Sequence, residues 1–279
     1  MAKIVKKLGE GGFGVTYLIE LDGERYAMKE MEHRDAVEEY AIMKRVASDC
    51  ASHHILCPVE LLHTPSHDYD YLVSDYISGT DLSKVFKRRD LITRGFVTKF
   101  ITQMLDALET LHKHGIAHRD IKAENIMVCP KTQTFTLIDL GLGTARGSRS
   151  PEGTMLYVSP QVYALAKEHR PIPMDVLFSS DLFGFGVTLY ELLERGKYPF
   201  KIIADDVDRT TTFTKDTRRI PYDSTHVYDL TNPVATRWMD NLFMTTVEEH
   251  DYKGLYTAKG LRKAIAERDY KRLSDAATR

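Results

Sequence analysis

The sequence has few cysteines and no excess of charge of either sign. Its three cysteines, Cys50, Cys57 and Cys129, fit neither a disulfide framework nor a paired-cysteine metal motif. We therefore expect a reducing compartment and an intracellular, cytoplasmic protein, with secretion into a host cell left open. The formal net charge of −2 lacks the positive excess that nucleic-acid-binding domains usually carry, so no nucleic-acid partner is expected.

Long apolar runs are also missing. No uninterrupted apolar run reaches the ~18 residues that a membrane helix needs, and the N-terminus has no signal-peptide core. The hydrophobic fraction is 43% and the charged fraction is 28%, which excludes a disordered or collagen-like chain. These proportions predict a globular chain without a membrane segment, and 279 residues suffice for one large domain or two small ones.

A glycine cluster near the N-terminus lies between two predicted strands. Alternating apolar and polar residues predict strands over 4–8, 15–21 and 24–30, and the turn dipeptide Asp22-Gly23 separates the last two. Between the first two strands the sequence reads G-x-G-x-x-G-V, a pattern whose glycines let the backbone approach a phosphate. A dinucleotide-binding motif is disfavoured because a helix would follow it, whereas a merely flexible hairpin is the alternative. The glycines are Gly9, Gly11, Gly12 and Gly14.

Lys29 ends the third predicted strand, two strands after the glycine loop. This spacing would place its ammonium below the loop, within reach of phosphate oxygens, although a solvated lysine is the alternative. The next segment has helical periodicity over 36–48 and carries both Glu38 and Glu39. Because Glu39 lies one turn before Met43 on the inward stripe, we prefer it as the partner of Lys29.

A group of polar residues follows an amphipathic helix predicted over 96–112. Asp120, Lys122 and Asn125 share one loop, and Asp139 ends the next short strand. Phosphoryl transfer from ATP needs an acceptor for the attacking hydroxyl and cations held by oxygen ligands. Asp120 fits the acceptor, Asn125 and Asp139 fit as Mg²⁺ ligands, and Lys122 can contact the transferring phosphate.

The order of these motifs resembles that of the eukaryotic-type protein kinase family, over essentially the full length. The glycine loop, A-M-K, H-R-D with Lys and Asn at the family's offsets, and D-L-G follow one another as they do there. The resemblance implies an α+β, bilobal, kinase-like fold in a single domain. It divides that domain into a small β-rich N-lobe over 1–74, a hinge over 75–80 and a larger, mainly α-helical C-lobe over 81–279.

The resemblance also implies ATP and Mg²⁺ as cofactors and assigns nucleotide contacts. Ser74 would lie at the back of the adenine pocket, where a small residue leaves room. Asp81 would bind ribose, although a helix cap is an equal alternative. The assigned contacts are Leu8, Gly9, Gly11, Gly12, Gly14, Val15, Ala27, Lys29, Ser74, Asp75, Ile77, Asp81, Met127 and Asp139. A regulatory column of Met43, Val59, Leu140 and His118 would stack in the core, anchored by Asp181.

Two features resemble the serine/threonine kinases. Lys122 stands in H-R-D-x-K-x-x-N, and 153-GTMLYVSPQ-161 resembles the peptide-docking segment, in which Thr154 would bridge Asp120 and Lys122. The implied function is transfer of the γ-phosphoryl group of MgATP to serine or threonine hydroxyls of a protein substrate. A pseudokinase acting as an ATP-binding scaffold for a partner is one alternative, and a small-molecule kinase is another.

The resemblance finally implies a regulatory phosphosite and one departure from the family. Arg119 precedes the catalytic aspartate, and a phosphate on Ser150 would pair with it. An activating kinase or regulatory protein would then be a partner, whereas an unmodified, solvated serine is the alternative. Gln161 and Leu255 replace the family's Glu–Arg pair, from which we expect a restructured C-lobe contact. Residues 201–225 are predicted to form an exposed insertion.

Overall fold

The computed structural model describes residues 3–12, 14–65, 68–88, 90–193 and 195–196. The predictions for Leu255 and for the insertion over 201–225 lie outside the described residues.

The N-terminal part is a five-stranded antiparallel sheet in the order β1-β2-β3-β5-β4. The three predicted strands are confirmed, each slightly longer than the alternation indicates. Asp22 and Gly23 both have positive φ, 53° and 87°, as a tight hairpin turn between β2 and β3 requires. The strands are β1 (Lys3–Gly11), β2 (Gly14–Leu21), β3 (Glu24–Glu32), β4 (Pro58–His63) and β5 (Tyr69–Asp75).

One helix, α1 (His33–Arg45), follows β3 directly. Its buried residues Ala36, Glu39 and Met43 are spaced by three and four, so they form one inward stripe. The helix begins and ends three residues earlier than the predicted range of 36–48. Asp35 lies in its first turn, where a negative charge stabilises the helix dipole.

A disulfide joins Cys50 to Cys57 across the connection between α1 and β4. The prediction that the cysteines stay unpaired is therefore wrong for these two, while Cys129 is free. The chain doubles back here through a short 3₁₀ turn at Ala51–His53 and a left-handed His54 (φ 63°). This fold-back brings the two Cα atoms to 5.4 Å, within the normal disulfide range. Since the expected reducing compartment was argued from unpaired cysteines, localisation stays a prediction.

The second part of the chain combines a small sheet with helices. The predicted amphipathic helix is confirmed and begins after Thr93, whose side chain accepts a hydrogen bond from the Phe96 amide at 3.2 Å. Phe96 and Phe100 pack edge-on against Phe135, with ring centroids 4.9 and 5.3 Å apart. The elements are β6 (Thr80–Asp81), β7 (Ile126–Cys129), β8 (Thr134–Leu137), α2 (Arg94–Lys113), α3 (Pro160–Lys167) and α4 (Met174–Leu193).

Helix α4 is apolar on nearly all faces and lies in the core. Its length and composition alone would allow it to cross a membrane, with a mean hydropathy of 1.4 over 18 residues. However, 83% of that stretch is buried inside the protein. The pattern is therefore that of a core helix, as the apolar run over 181–193 predicts.

The predicted α+β architecture, β-rich first and helical afterwards, is confirmed. Between the two parts, β5 ends at Asp75 and β6 begins at Thr80. The chain crosses there in one short segment, which forms one wall of a cleft between them. The C-lobe range of 81–279 extends past the described residues, so the domain boundaries stay a prediction.

Candidate active site

A cavity of about 580 Å³ lies in this cleft. Most of the expected nucleotide contacts border it: Leu8, Gly9, Ala27, Lys29, Ser74, Asp75, Ile77, Asp81, Met127 and Asp139. Four of the expected contacts, Gly11, Gly12, Gly14 and Val15, do not border it. The structure therefore brings the hinge, the strand lysine and the D-L-G aspartate to one cavity, and leaves the distal part of the glycine loop beside it.

Several lining residues carry no motif and were missed by sequence reasoning. Thr16, Leu56, Leu72 and Ile138 all border the cavity. Leu72 lies opposite Lys29 in the register of β3 and β5, and the Leu56 amide donates to the Leu137 carbonyl at 2.9 Å. Their position in the cavity wall follows from strand register and backbone pairing. The sequence does not predict it, because each residue lies in an ordinary apolar run.

Gly14 has a structural requirement at the start of β2. Its φ is +125°, and a Cβ placed there would lie 1.9 Å from the carbonyl oxygen of Glu30. No other residue fits this close approach of β2 to β3. Gly14 thus serves the packing of the hairpin that covers the cavity.

Lys29 lies between two carboxylates. Its Nζ is 2.9 Å from Oε2 of Glu39 on α1 and 3.0 Å from Oδ1 of Asp139, which follows β8. Although burial disfavours its charged form, the two carboxylates raise the pKa of Lys29, so the ammonium stays charged. Glu38 instead pairs with Arg34 on the surface at 3.2 Å, which places Glu39 as the partner, as expected.

Asp120 forms the centre of a second network. Its Oδ1 accepts from the Thr154 amide at 2.9 Å and the Thr154 hydroxyl at 2.8 Å. Its Oδ2 lies 2.7 Å from Lys122 Nζ, which also donates to Thr154 Oγ1 at 2.7 Å. Burial opposes ionisation, but Lys122 and Thr154 together hold the pKa of Asp120 below its usual value. The expected bridge of Thr154 between Asp120 and Lys122 is thus present, with an ionised carboxylate at its centre.

Asn125 and Asp139 offer oxygen donors to a divalent cation. The Asn125 amide nitrogen donates to the backbone carbonyl and to Oδ2 of Asp120, both at 2.9 Å. Its amide oxygen is therefore the atom available for a cation. Asp139 uses Oδ1 for Lys29 and has a side chain that is 32% exposed to the cleft. This donor set fits Mg²⁺, which prefers oxygen ligands.

Asp181 on α4 holds in place the catalytic loop, which we define as residues 118–125. Its carboxylate accepts from the backbone amides of His118 and Arg119 at 2.9 and 2.7 Å and contacts His112 at 3.0 Å. These bonds hold Arg119 at a left-handed φ of 72°, a conformation that costs energy and persists because its surroundings fix it.

The expected regulatory column is found in part. Met43, Leu140 and His118 are buried in the core, but Val59 is 45% exposed. Val59 lies on the edge strand β4, where the register shifts between Pro58 and Glu60. The irregular pairing turns the predicted column member out to the surface, so that prediction is wrong.

An acidic residue occupies the position expected for a regulatory phosphate. Arg119 Nη2 lies 2.8 Å from Oε2 of Glu152 and donates to the Ser148 hydroxyl at 3.1 Å. The Ser150 hydroxyl donates to Glu152 at 2.7 Å, while the Ser150 carbonyl accepts from Arg119 at 3.4 Å. Phosphorylation of Ser150 stays a prediction, and Glu152 was missed by sequence reasoning.

The segment after Glu152 packs tightly against the catalytic loop. Gly153 has a φ of +114°, and a Cβ there would lie 2.3 Å from the Arg119 carbonyl oxygen. Further along, the Tyr157 hydroxyl donates to Glu191 at 2.6 Å, and both side chains are buried. The docking segment is thus fixed to both the loop and α4.

Comparison with known proteins identifies the family to which the chain belongs. A sequence profile of the protein kinase domain matches residues 2–259. The chain belongs to the protein kinase family. The kinase PK-1 of Cydia pomonella granulovirus has the same fold, with a TM-score of 0.69 at 22% identity over 93% of this chain and 92% of that one.

Several of the curated relatives of this kinase-family chain are named as serine/threonine-protein kinases or probable ones. One from Clostridium acetobutylicum is 30% identical over 71% of this chain and 30% of its own length. Serine/threonine-protein kinase 1 of Lymantria dispar multicapsid nuclear polyhedrosis virus is 34% identical over 58% of this chain and 55% of its own length. The chain therefore spans about a third to a half of the length of these relatives.

Proposed function

We propose that the chain is a serine/threonine protein kinase, which transfers the γ-phosphoryl group of MgATP to hydroxyls of a protein substrate. The observation that carries the proposal is the network of Asp120, Lys122 and Thr154, because it combines an ionised acceptor with a cation next to it. The names of the relatives and the H-R-D-x-K-x-x-N pattern support serine or threonine as the acceptor.

Different residues of the cleft would bind different parts of MgATP. The backbone of the hinge between Asp75 and Thr80 would read adenine, and Lys29 would hold the α- and β-phosphates. Its pairing with Glu39 fixes the ammonium before the nucleotide arrives, so little reorganisation is needed at binding. Asn125 and Asp139 would hold Mg²⁺, which neutralises charge on the phosphates when bound.

Asp120 would orient the substrate hydroxyl and receive its proton. The hydroxyl oxygen bonds to the γ-phosphorus while the bond from that phosphorus to the β–γ bridging oxygen breaks. Lys122 lies beside Asp120 and would stabilise the charge on the transferring group. Thr154 holds both side chains in place and presents the docking segment beside them, which favours a peptide over a small molecule as the acceptor.

The test is a transfer assay with the full chain, labelled ATP, Mg²⁺ and a mixed peptide library. We expect label on serine or threonine, and a loss of about 10²–10⁴-fold in Asp120→Asn, because the acceptor for the proton is removed. Asp106→Asn is the matched control, since Asp106 on α2 pairs with His53 and lies outside the cavity lining. It should retain the wild-type rate.

Two results would contradict the proposal. Nucleotide binding by the wild type without label on any peptide would favour the scaffold alternative. Consumption of ATP that depends on an added small metabolite, and not on peptide, would favour the small-molecule kinase.

A further inference from the structure

Two histidines and an aspartate converge at the N-terminal end of α1, away from the cleft. His33 is the first residue of α1, His63 is the last residue of β4, and Asp70 lies in β5. The Nδ1 atoms of both histidines lie 2.7 Å from Oδ2 of Asp70, and the three ligand atoms all lie within 4.8 Å of one another. We call these three residues the histidine cluster.

Backbone pairing brings the histidine cluster together. His63 lies directly opposite Asp70 in the register of β4 and β5, and Met31 lies opposite Asp70 on β3. The His33 amide donates to the Asp68 carbonyl at 3.2 Å, which fixes the start of α1 to the same strand end. The three side chains are therefore held near one another before any ligand binds.

The carboxylate of Asp70 is buried, whereas both imidazoles are accessible. Asp70 is 0% exposed, and the side chains of His33 and His63 are 42% and 50% exposed. Within the described part of the chain, no lysine or arginine pairs with Asp70. With neutral imidazoles the cluster carries one net negative charge, which the contacts from His33, His63 and the Thr64 amide stabilise and which a bound cation would neutralise.

We propose that His33, His63 and Asp70 bind one transition-metal ion of the Zn²⁺ class, with solvent completing its coordination. Two imidazole nitrogens and one carboxylate oxygen are a donor set that suits zinc and iron and does not suit Mg²⁺ or Ca²⁺. The Thr64 amide donates to Oδ1 of Asp70 at 3.1 Å, a second contact that orients the carboxylate as outer-shell groups do in metal sites.

The two Nδ1–Oδ2 distances require only a small adjustment. Zinc bonds of about 2.0–2.2 Å in tetrahedral geometry place ligand atoms about 3.3 Å apart. Each Nδ1–Oδ2 pair would open by about 0.6 Å from its present hydrogen-bonded distance. The half-exposed histidines have the room to make this rotation, while Asp70 stays fixed.

Metal binding would fasten the first turn of α1 to the β4–β5 hairpin. Glu39 lies six residues along the same helix, about 9 Å from His33 at the helical rise. An ion in the histidine cluster would therefore restrict the helix that presents Glu39 to Lys29. This consequence concerns the cleft of the candidate active site, which shares no residue with the proposed metal site.

The test is a zinc titration of the full chain after removal of metal with a chelator. Calorimetry in excess Mg²⁺, which occupies oxygen-ligand sites, should give one equivalent of bound Zn²⁺. His63→Gln should weaken the binding by at least about 10-fold, as the loss of a metal-site residue does. His53→Gln is the matched control, because His53 also pairs with one aspartate through Nδ1, at 2.9 Å, and is 38% exposed.

A spectroscopic measurement separates this cluster from other sites. Co²⁺ in place of Zn²⁺ should show ligand-field absorption without a thiolate charge-transfer band, because no cysteine belongs to the cluster. The spectrum should be lost in His33→Gln, and circular dichroism should show that the metal-free variant is folded. Binding that is absent, that is unchanged in both histidine variants, or that carries the thiolate band would overturn the proposal and leave a hydrogen-bonded clasp.

Discussion

Helix α1 contacts two polar clusters that compensate buried carboxylates by different means. In the cleft, Glu39 and Asp139 share the ammonium of Lys29, a permanent charge at neutral pH. In the histidine cluster, Asp70 contacts two imidazoles, which carry no charge when neutral, and accepts from the Thr64 amide, with no lysine or arginine paired to it among the described residues. The cleft therefore contains a permanent cation of its own, whereas the hydrogen-bonded histidine cluster would gain a positive charge from a proton or a bound metal ion.

The two clusters also differ in the cation that they suit. With neutral imidazoles, each carries one more negative than positive charge, so each favours a divalent cation. The cleft offers oxygen donors from Asn125 and Asp139, whereas the histidine cluster offers two nitrogens and one oxygen. Donor chemistry, more than net charge, thus assigns Mg²⁺ to one and a zinc-class ion to the other.

Among the tests of this comparison, the largest effect is expected from removing Lys29, the permanent cation between Glu39 and Asp139. Lys29→Met leaves the carboxylates of Glu39 and Asp139 without the cation that they share. It also removes the group that would hold the phosphates. We expect kcat/KM for peptide phosphorylation to fall by about 10²–10³-fold, as the loss of one preorganised charge or donor does. Steady-state kinetics with peptide substrate measure this.

Lys99→Met is the matched control for Lys29→Met. Lys99 is exposed on α2, lies outside the cavity lining and donates to the Thr132 carbonyl at 3.3 Å, and substitutions at such surface positions change stability little. It should leave kcat/KM unchanged. Equal losses in the two variants, or full activity in Lys29→Met, would show that Lys29 has no special role.

A second test concerns the Cys50–Cys57 disulfide, which lies after the C-terminal end of α1. The bond closes a short loop, with a sequence separation of 7. The chain-entropy relation for such a loop gives a stabilisation of about 2.5 kcal/mol. A Cys50→Ala/Cys57→Ala variant should lose that much free energy of unfolding, measured by urea denaturation of the oxidised protein.

Cys129→Ser is the control for the disulfide, because Cys129 is the free cysteine of the chain. It should leave the free energy of unfolding close to that of the wild type. Thiol titration of the native protein should find one reactive group. Three free thiols and equal stabilities would show that the bond does not form and would return support to a reducing compartment.

Sequence reasoning predicted the fold and most of the cleft because those signals are local. Asp120, Lys122 and Asn125 lie within one loop, and Lys29 and Glu39 are linked by the spacing of one strand and one helix. The periodicity of the strand and of the helix shows which face carries Lys29 and which carries Glu39. The contact between the two side chains follows from that placement. The same logic favoured Glu39 over Glu38, and the structure agrees.

The remaining features depend on register and turn geometry, which no local pattern encodes. Cys50 meets Cys57 across a turn in which His54 adopts a left-handed conformation. His63 meets Asp70 through strand pairing across a connection that has no distinctive motif. The irregular pairing beside Pro58 exposes Val59, and this too is invisible in the alternation of residue types.

The smallest predicted effect extends the comparison to Arg119, another permanent cation. Glu152 lies 2.8 Å from its guanidinium and is 45% exposed, so the charge that orders this segment comes from the chain itself. Glu152→Gln keeps the shape and removes the charge. We expect kcat/KM to fall about fivefold, which corresponds to about 1 kcal/mol, the upper value for a partly exposed pair.

Ser150→Ala separates this role of Glu152 from regulation by phosphate. The Ser150 hydroxyl contacts Glu152 and not Arg119, so its removal should change kcat/KM less than Glu152→Gln does. Both variants should be assayed on protein whose phosphorylation state has been determined by mass spectrometry. A larger loss in Ser150→Ala, together with phosphate on Ser150 of the active wild type, would reverse the assignment and make the phosphate the partner of Arg119.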